Sequence, residues 1–138
     1  MKDLIWKLIL PLTIISFAIF TKYWYVSIVD GPNVYMYGFP LICVSDGIHT
    51  SMSLYFYIYD LIIDFLIYLI FWSFIVILFN LFFSPIKISK IIYLSLITLA
   101  IIFLLLFVVV INVSESSFYP NRNMEIEVIN TNFRILGQ

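Results

Sequence analysis

"YWYVSIV", residues 23–29, decides how often the chain is read as crossing a membrane. Ahead of it stand Lys2, Lys7, an apolar stretch and the small-residue triplet "SFA" (16–18), the order of a secretory signal peptide with its cleavage site. A signal peptide would lose its apolar character at that point. This chain instead continues through tyrosine, tryptophan, valine and isoleucine. The segment from Leu4 to about Val29 is then long enough to stay as an uncleaved anchor, because about 20 apolar residues cross a hydrocarbon core roughly 30 Å thick.

The composition points the same way. Of 138 residues, 64% are hydrophobic, 20% aromatic and only 11% charged, with a mean hydropathy of +1.12. Soluble domains carry about 25% charged residues, and a small soluble domain leaves roughly a third of its chain surface in water. The expected fold class is therefore an α-helical integral membrane protein with a single domain over residues 1–138. The formal charge of −1 argues against a nucleic-acid partner, which calls for a basic patch. The partners expected are the lipid bilayer and either other membrane proteins or a second copy. One cysteine, Cys43, excludes an internal disulfide and a cysteine-rich metal framework.

Three spans are predicted, at about 4–29, 54–83 and 91–113. "SPIKISK" (84–90) turns the chain between the last two, since Pro85 cannot continue a helix. Lys2, Lys7, Lys87 and Lys90 fall on one side of this arrangement, against Arg122 and Arg134 on the other. The positive-inside rule then places the N-terminus in the cytoplasm and the C-terminus outside. The outer loop, 30–53, carries the turn signals "DGPN" and "SDG" around "VYMYGFPLICV", which suits one or two short strands. In the outer tail, 114–138, Met124, Ile126 and Val128 alternate with Glu125 and Glu127, the pattern of a half-buried strand. Loop and tail together are expected to form a small extracytoplasmic β-rich cap.

The residues needing explanation are Asp60 and Asp64 in "YDLIID" (59–64). An aspartate at mid-bilayer costs about 2.5–3.5 kcal/mol of insertion free energy. The 21 Leu, Ile, Phe and Val residues of 54–83 outweigh two of them, at roughly −0.3 to −0.6 kcal/mol each. Tyr55, Tyr57 and Tyr59 read as an interfacial aromatic belt, which puts Asp60 at the boundary and Asp64 about 6 Å deeper. Their i, i+4 spacing puts both on one helix face, which should turn toward protein and not lipid. Lys22, at matching depth in the first span, is the partner expected. Either the three residues make an ion-pair or hydrogen-bonded staple that fixes helix order and anchors the loop, or the acids mark a proton or cation site.

Other constellations are thin. His49, Asp46 and Cys43 form a loose set of metal-capable loop residues without recognised ligand spacing, so neither a metal nor a cofactor is expected. No Gly-x-Ser-x-Gly elbow and no phosphate loop occur. "NVS" (112–114) matches a glycosylation sequon only formally, at the end of a span.

"YGFPL" (37–41), followed by "LIIDFLIYLIFW" (61–72), resembles small bacterial membrane proteins that carry a Gly-Phe-Pro loop ahead of an Ile-Asp helix. The resemblance covers residues 20–80. It implies a multi-pass topology in a bacterial inner membrane and carries no assigned activity. The expected function is a non-enzymatic accessory, scaffold or interaction subunit. A transport subunit using Asp60 and Asp64 is the alternative, and an intramembrane enzyme comes third.

Overall fold

A computed structural model describes residues 4–29, 31–48, 52–82, 88–122 and 125–135. The chain divides into two compact units, a helical one (Met1–Ala18 with Phe65–Phe107) and a sheet unit (Ile19–Asp64 with Val108–Gln138).

The fold is mixed α/β, and this corrects the expected all-helical class with three spans. The first apolar segment is not one helix. A π-helical turn, Ile5–Ile9, leads into α1 (Leu10–Ile19), and strand β1 (Phe20–Ile28) follows at once. The sixteen helical residues 4–19 rise only about 24 Å, short of the roughly 30 Å hydrocarbon core. "FTKYWYVSI" is rich in aromatic and β-branched side chains, which fit a pleated surface better than a helix. Hydropathy alone cannot see that difference.

Among the described residues, two helices are long and apolar enough to cross a membrane, α2 (Ile58–Phe82) and α3 (Lys90–Val113). The predicted second span loses its first residues to strand β4 (Ser53–Tyr57). Most of the predicted turn 84–90 lies outside the described residues. At its end, Ser89 caps α3, its hydroxyl accepting the Ile92 N–H at 3.3 Å, the usual use of a serine at that position.

In the helical unit, α1 and α2 pack along one stripe each. Ile9, Thr13 and Ser16 are buried at i, i+4 and i+7, one face of a helix. Phe17 meets Phe65 and Tyr68 edge-on at 6.1 and 6.0 Å, and the Trp72 indole donates to Ser16 Oγ at 2.8 Å. Leu4, Ile5 and Ile9 share a crevice with Val76, Ile77 and Asn80. Contacts running from Phe17 with Phe65 to Leu4 with Asn80 make the two helices antiparallel. Pro11 fits the π turn before it: it has no N–H to give, and in a regular helix its ring would clash with the carbonyl four residues back, that of Lys7.

The sheet unit holds six strands in the order β5-β4-β3-β2-β1-β6, with β2 at Asn33–Tyr37, β3 at Val44–Asp46, β5 at Glu115–Tyr119 and β6 at Ile126–Ile135. β2 and β3 occupy the loop where short strands were expected, and β6 lies in the tail. The sheet is nevertheless larger than a cap made from loop and tail, because β1 and β4 come from stretches assigned to spans. All neighbours are antiparallel except β4 and β5. That parallel pair is separated in sequence by both long helices, as a crossover connection requires.

One sheet face carries the main buried cluster. Trp24 faces Met36 and Val26 faces Val34 across β1 and β2. Val26 and Met36 are 0% exposed, and Ile28, Val34 and Ile42 complete the buried cluster, with Ile48 and Ile126 against it. The opposite face bears a row of cross-strand partners running Tyr23, Tyr37, Val44, Phe56 and Phe118. Tyr23 meets Tyr37 at 4.9 Å and Phe56 stacks on Phe118 at 5.3 Å, the kind of pair that stabilises a sheet by roughly 0.2–1 kcal/mol.

Candidate functional site

The polar groups of the sheet unit converge on the segment between β2 and β3, "GFPLIC" (38–43). Its start depends on glycine: Gly38 has φ +142°, and a Cβ there would collide with the Leu41 carbonyl oxygen and the Cys43 nitrogen. Every turn of the segment is tied down. The Gly38 N–H donates to Lys22 O at 3.1 Å, and the Trp24 indole N–H donates to Gly38 O at 3.0 Å. The Cys43 N–H closes the loop onto Tyr37 O at 3.0 Å.

The remaining tie comes from α2. Leu41 N–H donates to Asp64 Oδ1 at 3.0 Å. Asp64 is 0% exposed; the Phe39 backbone N–H also bears on its carboxyl, while Oδ2 has no hydrogen bond of good geometry. A charged acceptor makes the stronger kind of hydrogen bond, and the N–H of a bent loop needs one if it is buried. The aspartate a full turn inside an apolar helix is therefore a loop anchor.

The other expected site residues are placed as follows. Asp60 stands in the first turn of α2, where a carboxylate meets the positive end of the helix dipole. Lys22 lies on β1, not on a helix, and its Nζ sits 3.8 Å from the centroid of the Trp24 ring. The Asp64 hydrogen bond thus goes to a backbone N–H and not to Lys22. Asp46, on β3, accepts the Tyr37 hydroxyl at 3.2 Å. Burial raises the Tyr37 phenol, and the Asp46 charge adds to it; burial raises the Asp46 carboxyl as well. Cys43 is buried and free, and burial pushes its thiol up to about 12, with the carboxylate of Asp64 contributing. A thiol that high is protonated and unreactive at neutral pH. His49 lies outside the described residues. Among the described residues no three His, Cys, Asp or Glu side chains come together as a metal site.

Sequence reasoning did not find the partners of these groups. Leu41 acts through its backbone, which leaves no mark on residue type. The Ser45–Tyr57 hydroxyl pair, 3.0 Å apart and buried, joins two strands that are adjacent only once β4 is recognised as a strand. Asn112, the formal sequon residue, donates its amide to Val108 O at 2.7 Å. The Ser114 hydroxyl adds to Val110 O at 2.7 Å beside the Ser114 N–H, and the Ser116 hydroxyl on Ile111 O at 3.1 Å satisfies a carbonyl that the end of α3 would leave bare.

No protein-family model, curated protein or solved structure matches the chain. The likeness of "YGFPL" and "LIIDFLIYLIFW" to small bacterial membrane proteins therefore stands on those residues alone.

Proposed function

We propose that the chain is a two-span membrane protein that holds a six-stranded sheet at one face of a bacterial inner membrane, as a non-enzymatic accessory or interaction subunit. The observation carrying this reading is the exposure of the long helices. Only 17% of the apolar window of α2 and 6% of that of α3 are buried. A core helix of a soluble protein would bury most of that surface, and exposed apolar surface on this scale is tolerated in lipid, not in water. Connectivity supports the placement: β4 runs directly into α2, and α3 runs into β5 with only Ser114 between. Lys87 and Lys90 at the connection between the helices favour that end as cytoplasmic, which leaves the sheet outside. Apart from Asp64 Oδ2, the polar side chains against 38–43 make hydrogen bonds that hold the loop in place, which supports a scaffold over a catalyst.

The test is topological. In a Cys43→Ser background, an impermeant maleimide applied to intact cells should label Asn121→Cys and leave Ser84→Cys untouched, and alkaline carbonate should not extract the chain. Labelling of both from one side, or release by carbonate, contradicts the reading.

A second reading keeps one observation of its own, the buried, unbonded Oδ2 of Asp64. Intramembrane carboxylates with free capacity are where protons or cations bind. A detergent-solubilised homo-oligomer with a pH-dependent flux lost in Asp64→Asn would favour this transport role, whereas an oligomer without flux would end it.

A further inference from the structure

The sheet unit contains a cavity of about 360 Å³, inside the range of roughly 300–1,000 Å³ that small-molecule sites occupy. Its apolar wall is formed by Val109, Val110 and Val113 from the last turns of α3, and its polar end by Asp46, Ser53 and Ser114. The three valines are 55%, 47% and 74% exposed, so the wall is continuous with the outward-facing apolar surface of a helix proposed to stand in lipid. The polar end is not neutral. Asp46 Oδ2 accepts the Tyr37 hydroxyl, and among the described residues no cation is paired with it. The Ser114 hydroxyl is already committed to Val110 O. One carboxylate at the end of an apolar trough is the complement of an amphiphile with a cationic, hydrogen-bond-donating head and a hydrocarbon tail.

We infer that this cavity is a binding site for a membrane phospholipid with a primary ammonium headgroup, its nitrogen at Asp46 and part of an acyl chain along Val109, Val110 and Val113. The bilayer is the source because the apolar wall opens onto the surface of α3. A quaternary headgroup would carry the same charge but has no N–H to donate, so it binds less well. The inference rests on the two-span reading and names a partner for it.

The full chain is reconstituted in nanodiscs of equal phosphatidylethanolamine and phosphatidylcholine, stripped in mild detergent and weighed by native mass spectrometry. The wild type should retain phosphatidylethanolamine about tenfold over phosphatidylcholine, the value of one charge-assisted hydrogen bond. Asp46→Asn should abolish the preference while still accepting from Tyr37. Val110→Phe should fill the trough and remove the retained lipid. The two variants act on opposite ends of the cavity, so if one does not fold the other carries the test. Retention that merely follows the nanodisc composition overturns the inference, as does a preference untouched by a folded variant. A chain that carbonate strips from membranes overturns the two-span reading and this site together. One that stays inserted without lipid preference overturns the site alone.

Discussion

Strand β1 and the last turns of α3 are built from similar residues and adopt opposite structures. "FTKYWYVSI" (20–28) and "LFVVVINV" (106–113) are both β-branched or aromatic through most of their length, yet the first is extended and the second helical. Local propensity does not separate them. β1 has partners on both sides, β2 and β6, so its backbone groups are satisfied between strands. It also alternates, with Val26 and Ile28 buried and their neighbours partly exposed. The end of α3 has neither alternation nor flanking strands, and its side chains are mostly exposed. If α3 stands in lipid as proposed, a segment without strand partners must satisfy its backbone internally, and only a helix does that. Whether partners exist outweighs the preference of the residues themselves.

The comparison can be broken by moving a charge. Val26→Asp puts an unpaired carboxylate into a fully buried position and should cost about 4 kcal/mol or more, enough to lose the sheet. Leu105→Asp on α3, 60% exposed, should leave the sheet intact and weaken membrane insertion instead, by up to about 2.5–3.5 kcal/mol. Near-ultraviolet circular dichroism and carbonate extraction read the two effects separately. Equal loss of both in both variants would erase the distinction drawn here.

The loop at 38–43 comes next in magnitude. Gly38→Ala must accept a left-handed backbone and a clash with backbone atoms that cannot swing away, and a loss of about 2–3 kcal/mol is expected in denaturation of the solubilised protein. Asp64→Ala strips the Leu41 N–H of its acceptor and should cost about 1–3 kcal/mol. Asp64→Asn keeps an acceptor oxygen, so its cost should stay under about 1 kcal/mol. Should asparagine prove as damaging as alanine, the charge and not the hydrogen bond would be what the position requires.

Cys43 gives the smallest effect, read as a rate. With its thiol near 12 in the folded chain, it is protonated throughout pH 7–9, and its thiolate appears only as pH approaches that value. Maleimide should modify it slowly at pH 8 in the native protein and quickly after unfolding. Rapid native labelling would show that the 38–43 loop is not packed as described.

How much of this could be read from the residues varies along the chain. The long helices are legible because each is a long run dominated by apolar residues, and predicted and observed ends differ by only a few residues. β2, β3 and β6 announce themselves through turn signals and alternation. β1 is lost because it continues an apolar helix without a Gly or Pro between them, so a hydropathy window joins the two. In β4, "SLYFY" is indistinguishable from an interfacial tyrosine belt until its parallel partner β5, some sixty residues on, is known. The candidate site shows the same divide. Asp64 stands out because a carboxylate in an apolar helix demands an explanation. Its partner does not, because a backbone N–H belongs to every residue but proline. Lys22 would suit Asp64 if residues 4–29 formed one helix; on β1 it meets the ring of Trp24, two positions along its own strand.

Residues 20–28 form a paired strand and not the outer third of a span. Spin labels placed singly at positions 20–28 of the chain in nanodiscs test it most directly, through their accessibility to a lipid-soluble and a water-soluble relaxation agent. The account predicts alternation with a period of two, positions 24, 26 and 28 protected from both agents and 23 and 25 differing from them, with no rise in lipid exposure along the segment. Continuous lipid exposure with a period near 3.6 residues would contradict it.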